Sequence, residues 1–404
     1  MEASVMRGTL DAAEDIDILI ISFTDLRTDA RVRRQVEALR DMYKVATLAT
    51  APSGLENAGH FTMELQPFHM RITFVPLRKI FSAVIHLRRS LLNTVLGWYD
   101  MEYWRPWRKR LLSQHGHLKP KLIIANDLDA LPLALRLAKG RAKVLYDAHE
   151  YAPRQHDDDP LWVKEFQRSN EYICKRYMPL ADACTTVAMN IAVAYEELTG
   201  VRPHVIDNAP AYEALAPTPT VGSIIKIVHH GIFNAKRRTK ELVLLMDQLR
   251  AGHELHLFGP PPTDPSYARE IRSMIAERPN VYQHSAIAPE HIATTINQFD
   301  IGIHHLSGGS FNHRNALPNK FFDFIQARLA IIVGPNPEMA SLVRAHDLGV
   351  VARDHSMEAF LEAIQQLTPE RIMRHKRNSD ACANIRNADH NAHTLRTIVA
   401  RLIG

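Results

Sequence analysis

A chain of 404 residues is longer than one hydrophobic core sustains, so it divides into two domains at roughly 100–200 residues each. Its 46% hydrophobic and 23% charged residues exclude disordered, collagen-like and fibrous classes, and three dispersed cysteines build neither a disulfide framework nor a zinc knuckle. The formal charge of +5 is unevenly spread: residues 71–113 hold nine Lys/Arg against Asp100 and Glu102, a local patch rather than a general polyanion-coating surface.

From the N-terminus, the acids of MEASVMRGTLDAAEDID stand where a signal peptide needs a basic region, and no apolar run reaches membrane-spanning length. The expectation is a cytoplasmic protein, at most peripheral on the inner face of the membrane. Short apolar, β-branched runs predict strands at Ile16–Ser22, Lys44–Ala49, Arg71–Pro76, Lys121–Ala125, Lys143–Tyr146 and Ala183–Val187. Between the first two, Val32, Val36 and Leu39 form one helical stripe. The second half repeats the pattern with strands at Ile224–His229, Glu254–Phe258, Asn280–Gln283, Asp300–Ile303, Ala330–Val333 and Val350–Val351. Helices are expected at Lys240–Arg250 and Pro318–Ala327. Strand–helix–strand repetition means crossovers and parallel sheets. The reading is α/β: two Rossmann-like, doubly wound domains facing across a cleft, at 1–210 and 223–385, joined by a linker at 211–222. A last helix in 386–404 can pack on either domain, the N-terminal one included.

The glycine-rich dinucleotide turn is absent after the first strand, where SFTDLRTDARV stands, and a hydride-transfer enzyme is demoted accordingly. Three other segments carry chemistry. In GGSFNHRNALPNKFFDFIQA, Pro318 suits a first helical position, so the amides of Ala316, Leu317 and Asn319 would open an anion site, with Lys320 adding a cation. In HGIFNAKRR, Gly231 permits a tight turn ahead of Arg237, placed to meet a phosphate. In YDAHE, Asp147, His149 and Glu150 end a strand at the edge where open α/β sheets bind ligands, and Asp127 ends the strand before it. The 22 histidines form no metal-ligand spacing, so neither a metal nor any other cofactor is expected.

Taken together these residues resemble the retaining, GT-B-fold glycosyltransferases of family 4, in the subgroup with a D-x-RV first loop and an LPNK-F-E-Y motif. Here the two read Asp29-Ala30-Arg31-Val32 and Leu317-Pro318-Asn319-Lys320-Phe321-Phe322-Asp323-Phe324. VLYDAHE, ADACTTVAMNIAVAYEELTG, Asn208-Ala209-Pro210 and HHGIFNAKRR follow between them in family-like order. The resemblance covers about residues 16–370. It implies transfer of a sugar from a nucleoside diphosphate sugar to a glycan, lipid-linked or related acceptor, with retention, in surface polysaccharide or glycoconjugate synthesis. Arg237 and Lys320 would meet the diphosphate, Asp323 the ribose, and His149 the transferred sugar and its leaving phosphate. Gly231, Asn315, Leu317 and Asn319 would complete the donor side; Asp29, Arg31, Asp127, Asp147 and Glu150 lie on the acceptor side. Three positions depart from the family pattern. Asn315 and Asp323 replace its two glutamates, and Arg238 stands where glycine is common. A sugar-nucleotide epimerase or hydrolase, or a catalytically silent partner subunit, are the competing readings.

The basic segment carries three of four tryptophans: Trp98, Trp104 and Trp107. Ile80, Val84, Leu87 and Leu91 fall on one helical stripe beside Arg88 and Arg89. Such a stretch suits an anionic membrane surface or a lipid-diphosphate acceptor, or else is a core-packed helix with solvated arginines. No nucleic-acid motif accompanies it.

Overall fold

The computed structural model describes residues 16–63, 84–85, 87–220, 222–234, 238–249 and 252–404. The expected strand Arg71–Pro76, Ile80 and Arg237 lie outside the described residues. The chain forms two compact units: 1–186 with 192–205 and 392–404, and 187–191 with 206–391.

The first unit is built on a seven-stranded sheet ordered β3-β2-β1-β4-β5-β6-β7. These are β1 Ile18–Ile21, β2 Val45–Ala49, β3 Ala58–Thr62, β4 Leu122–Asn126, β5 Lys143–Ala148, β6 Ala183–Thr186 and β7 His204–Val205, every pair parallel. β1 and β4 are buried along their whole length, which is why they read as unbroken apolar runs. The helix Ala30–Leu39 is capped by Asp29, whose carboxylate accepts from the Val32 amide, and buries Val32, Val36 and Leu39 together with Gln35. Residues 392–404 pack here, with Arg396 Nε donating to the Ala38 carbonyl at 2.7 Å.

The second unit holds a six-stranded parallel sheet ordered β10-β9-β8-β11-β12-β13. The strands are β8 Ile225–His230, β9 His253–Phe258, β10 Val281–His284, β11 Ile301–His304, β12 Ala330–Val333 and β13 Gly349–Val351. The helix Asn319–Gln326 is buried from Lys320 to Gln326. Gly302 on β11 admits it: a Cβ there would stand 2.4 Å from Phe324 Cγ, so only a bare backbone lets the ring approach. The helix expected to run to Arg250 ends at Leu245.

The stretch from Ala211 to Thr220 has no helix or strand, yet it is tied to the second unit. Arg328, fully buried, donates to the Glu213 carbonyl at 2.6 Å, and buried Lys376 donates to Thr218 Oγ1 at 2.8 Å. Thr220 Oγ1 donates to Asp300 at 2.8 Å.

Both sheets reverse strand order next to their first strand, between β1 and β4 and between β8 and β11. The crevice at the carboxyl ends of such strands is where open α/β sheets place ligands.

Candidate functional site

In the first unit, the strand ends at this reversal carry a closed hydrogen-bond relay. Asp147, 1% exposed, accepts from Arg31 Nε and Nη2, both at 2.7 Å, from Gln35 Nε2 at 2.6 Å and from Thr185 Oγ1 at 2.6 Å. Gln35 Oε1 accepts from Asn126 Nδ2 at 3.0 Å, leaving Asn126 Oδ1 to accept from His149 Nε2 at 3.0 Å. His149 Nε2 also stands 3.3 Å from Asp147, and its Nδ1 stands 3.3 Å from Asp127. Both ring nitrogens therefore face acceptors, the surroundings of an imidazolium.

The electrostatics follow from this arrangement. Burial alone would raise the Asp147 carboxyl, but the Arg31 charge and the bonds from His149 and Arg31 hold it far below the carboxylate range. Burial alone would depress His149, but Asp127 and Asp147 outweigh it and keep the imidazole above its ordinary value. Glu150, beside Gln155 as a donor, is pushed up to about 7 by burial and then by the Asp127 charge. Asp127 adopts a left-handed backbone (φ 63°) that few non-glycine residues take. Such strain persists only where its surroundings impose it.

The relay separates the motif residues by task. Asp29 caps its helix and takes a 2.7 Å bond from Thr24, so its contacts are those of a structural cap. Arg31 spans 116 residues of sequence to fix Asp147, which in turn orients His149. The sequence places Asn126 at the same strand edge as Asp127 without a role, and Gln35 and Thr185 were missed. Of those two, Gln35 alone left a trace there, as a polar residue three positions from Val32 on the buried face.

The same strand ends border a cavity of about 520 Å3, lined from below by Asn126, Asp127 and Glu150. Its other lining residues include Arg89, Arg105 and Arg108 and the rings of Phe23, Trp107, Trp162 and Phe166. Of the stripe expected on 80–91, Val84, Leu87 and Leu91 are 56%, 72% and 47% exposed, so its described part faces outward instead of packing into the core.

In the second unit, the helix Asn319–Gln326 delivers its residues to the ends of β8 and β11. Pro318 is the N-cap, one position earlier than expected, so Ala316 and Leu317 precede the helix and its first turn opens at Asn319 and Lys320. Lys320 is 5% exposed, with Nζ 3.3 Å from His229 Nε2. His229 Nδ1 lies 3.0 Å from the Ile303 carbonyl; its N–H donates there, which leaves Nε2 to accept from the lysine. One turn on, Asp323 sits 3.4 Å from His230 Nε2. Gly231 follows at φ 110°, a value that favours glycine. Asn315 is buried, its Oδ1 accepting from Asn190 Nδ2 at 3.0 Å and its own amide donating to the Phe311 carbonyl at 3.0 Å. Leu317 is buried and Asn319 exposed. Glu338, also missed in the sequence, accepts from the Asn190 amide.

Arg238 shows why glycine suits its position, because its φ is 50°. The side chain is nonetheless used, donating to the His355 carbonyl at 2.6 Å and standing 3.1 Å from His305 Nε2. Burial first, and then the Arg238 charge, press His305 down to about 3, so it stays neutral. Among the described residues no group of three or more His, Cys, Asp or Glu is arranged to hold a metal ion.

No family model matches the chain, and no curated relative does. Solved structures do. HepE of Anabaena in complex with UDP-glucose aligns with a TM-score of 0.68 at 12% identity, covering 96% of this chain and 100% of its own. Sucrose-phosphate synthase of Thermosynechococcus elongatus gives 0.68 at 16% identity, over 96% and 99%. An α,α-trehalose-phosphate synthase (UDP-forming) of Burkholderia vietnamiensis gives 0.65 at 11%, over 95% and 100%. At such identities the likeness speaks for architecture. The two parallel-sheet units are those of the GT-B glycosyltransferase fold.

Proposed function

We propose that the chain is a glycosyltransferase that moves a sugar from a nucleoside diphosphate sugar to an acceptor with retention, without a metal. The observation that carries this is the helix Asn319–Gln326, which sets a buried cation, Lys320, and a carboxylate, Asp323, one turn apart at the reversal point of the second sheet. That pairs a cation for a diphosphate with an acceptor for ribose hydroxyls. Lys320 and Arg237 meet the diphosphate and Asp323 the ribose, and Gly231, Asn315, Leu317 and Asn319 complete the donor side. HepE, with the same fold, is seen with UDP-glucose, which supports a nucleotide sugar as ligand.

In the reaction the bond from the anomeric carbon to the diphosphate breaks and the acceptor oxygen bonds to that carbon on the face the diphosphate leaves. The acceptor proton passes to the departing phosphate oxygen. Lys320 and Arg237 stabilise the charge that develops there. In the first unit, Asp127 and Glu150 receive the reacting end of the acceptor, and His149 meets the transferred sugar and its leaving phosphate. Asp147, fixed by Arg31, orients His149, and Asp127 and Asp147 together favour its charged form.

The acceptor is a glycan or lipid-linked molecule used in surface polysaccharide or glycoconjugate synthesis, and the protein works in the cytoplasm as a peripheral membrane enzyme. Exposed Leu87, Val95, Trp98 and Met101 beside Arg88 support a seat on an anionic membrane surface. No helix among the described residues is long and apolar enough to cross one.

The test is thermal-shift screening with UDP-, GDP- and other nucleotide sugars, followed by NMR of the transfer product. A ligand at 100 times its dissociation constant stabilises by about 2.7 kcal/mol. Absence of a shift with every nucleotide sugar overturns the assignment, and an inverted product overturns retention.

A further inference from the structure

The cavity of the first unit has a charge arrangement that the transfer reaction alone does not require. Three arginines converge on one buried carboxylate: Arg88 reaches Glu102 Oε2 at 2.7 Å, Arg89 reaches Oε1 at 3.3 Å, and Arg105 pairs with the same oxygen. Glu102 is 7% exposed, so it balances one of these charges and leaves two. Arg108 stands nearby, paired with Asp129 at 2.5 Å. The Nε atoms of Arg105 and Arg108 are buried with no hydrogen-bond partner, although an N–H group removed from water without one is costly. Burial, and then the charges of Arg89, Arg108 and Arg88, press the Arg105 guanidinium down to about 10. Like charges crowded in this way are relieved by an anion.

The remaining lining residues have a different chemistry. Phe23 and Trp107 meet edge to face at 5.6 Å, and Trp162 stacks with Phe166 at 5.9 Å. Such rings suit the C–H faces of a sugar. Asn126, Asp127 and Glu150 add hydroxyl-binding groups at the strand ends.

We propose that this cavity is the acceptor site and selects acceptors that carry a phosphoryl group, held by Arg89, Arg105 and Arg108, with the reacting hydroxyl at Asp127 and Glu150. This rests on the glycosyltransferase reading for the word acceptor, but the binding of a phosphoryl sugar does not. The group belongs either to a soluble sugar phosphate or to the headgroup of a lipid-linked sugar. Leu87, Leu91 and Val95, exposed on the segment that supplies Arg89 and Asn93 to the cavity, are suited to a lipid tail.

The experiment uses the full chain without nucleotide, titrated with three probes: glucose, glucose 6-phosphate, and a short-chain polyprenyl diphosphate sugar in detergent. Binding of either phosphorylated probe, with glucose much weaker, supports the proposal; which one binds identifies the source. Arg105→Gln should weaken that binding roughly 10–100-fold, the range of one charge-assisted bond, and Arg105→Lys should retain part of it. Nucleotide-sugar binding to the second unit, measured in parallel, should stay as in the wild type, and the circular dichroism and melting of each variant report that the first unit folds. Equal binding of glucose and its phosphate, binding untouched by Arg105→Gln, or no binding of any probe overturns the proposal. A failure of nucleotide-sugar binding in the wild type instead overturns the reading of the second unit.

Discussion

The Arg31–Asp147 pair makes a quantitative prediction, because nearly every bond of the buried carboxylate is accounted for. Asp147 is 1% exposed on its side chain and Arg31 10%. Arg31→Met removes two bonds of 2.7 Å and leaves an anion held by Gln35, Thr185 and His149 alone. Breaking one side of a buried ion pair costs about 3–5 kcal/mol, since the other charge loses its compensation. For a unit of about 200 residues each kcal/mol lowers the melting temperature by about 2–4 °C, so the expected drop is roughly 6–20 °C. Asp147→Asn strands Arg31 and should cost a similar amount. The double variant Arg31→Met/Asp147→Asn leaves no unpaired charge and should be more stable than the sum of the two losses predicts. Calorimetry at pH 7 measures all three. Because the Asp147 carboxyl is depressed in the folded state, the pair contributes fully above the ordinary Asp value and is lost as pH falls below it. The gap between wild type and Arg31→Met should therefore narrow toward pH 3. A single-variant loss under 1 kcal/mol, or strict additivity in the double variant, refutes this account.

Lys320→Ala and Arg237→Ala should each cut donor turnover severely while circular dichroism stays unchanged; wild-type rates from either remove the donor-site assignment. Glu150, raised in the folded state to about 7, stabilises fully below its ordinary value of 4.5 and loses that contribution as pH rises through 7. Glu150→Gln should therefore gain on wild type with rising pH, by up to roughly 3 kcal/mol near pH 8, and a pH-independent difference in urea unfolding would contradict this. Gly302→Ala should lower stability by about 1–3 kcal/mol, because Phe324 must move out of its minimum. Sedimentation with anionic vesicles, reversed by high salt and absent with zwitterionic ones, is expected for the 84–113 surface; no binding at low salt refutes it.

How much of this was legible in the sequence depends on how local each signal is. β1, β4 and β12 are buried along their whole length, so their apolar runs announced them within a residue or two, and β8, buried from Ile227 onward, was placed as closely by its β-branched residues. β3, Ala58–Thr62, is an edge strand whose AGHFT is only partly buried, and it has no apolar run to read. The LPNK motif placed Lys320 and Asp323 correctly on one helix, yet not the His229 and His230 rings beside them, because those contacts span about 90 residues. The arginine-lined cavity joins Phe23, residues 89–108, the strand ends at 126–129 and residues 150–173. Periodicity cannot report such an assembly, and it assigned the outward face of 84–91 only as one of two options.

The bonds that hold 211–220 bear on how the protein can be dissected. A fragment cut at residue 223, where composition places the boundary, would deprive Arg328 of the Glu213 carbonyl and Lys376 of Thr218. Two buried cations would be left short of acceptors, and the isolated C-terminal half would be expected to aggregate or melt early. A cut at Ile206 keeps both anchors. The stretch that reads as a tether is a strap, and it belongs with the half it holds.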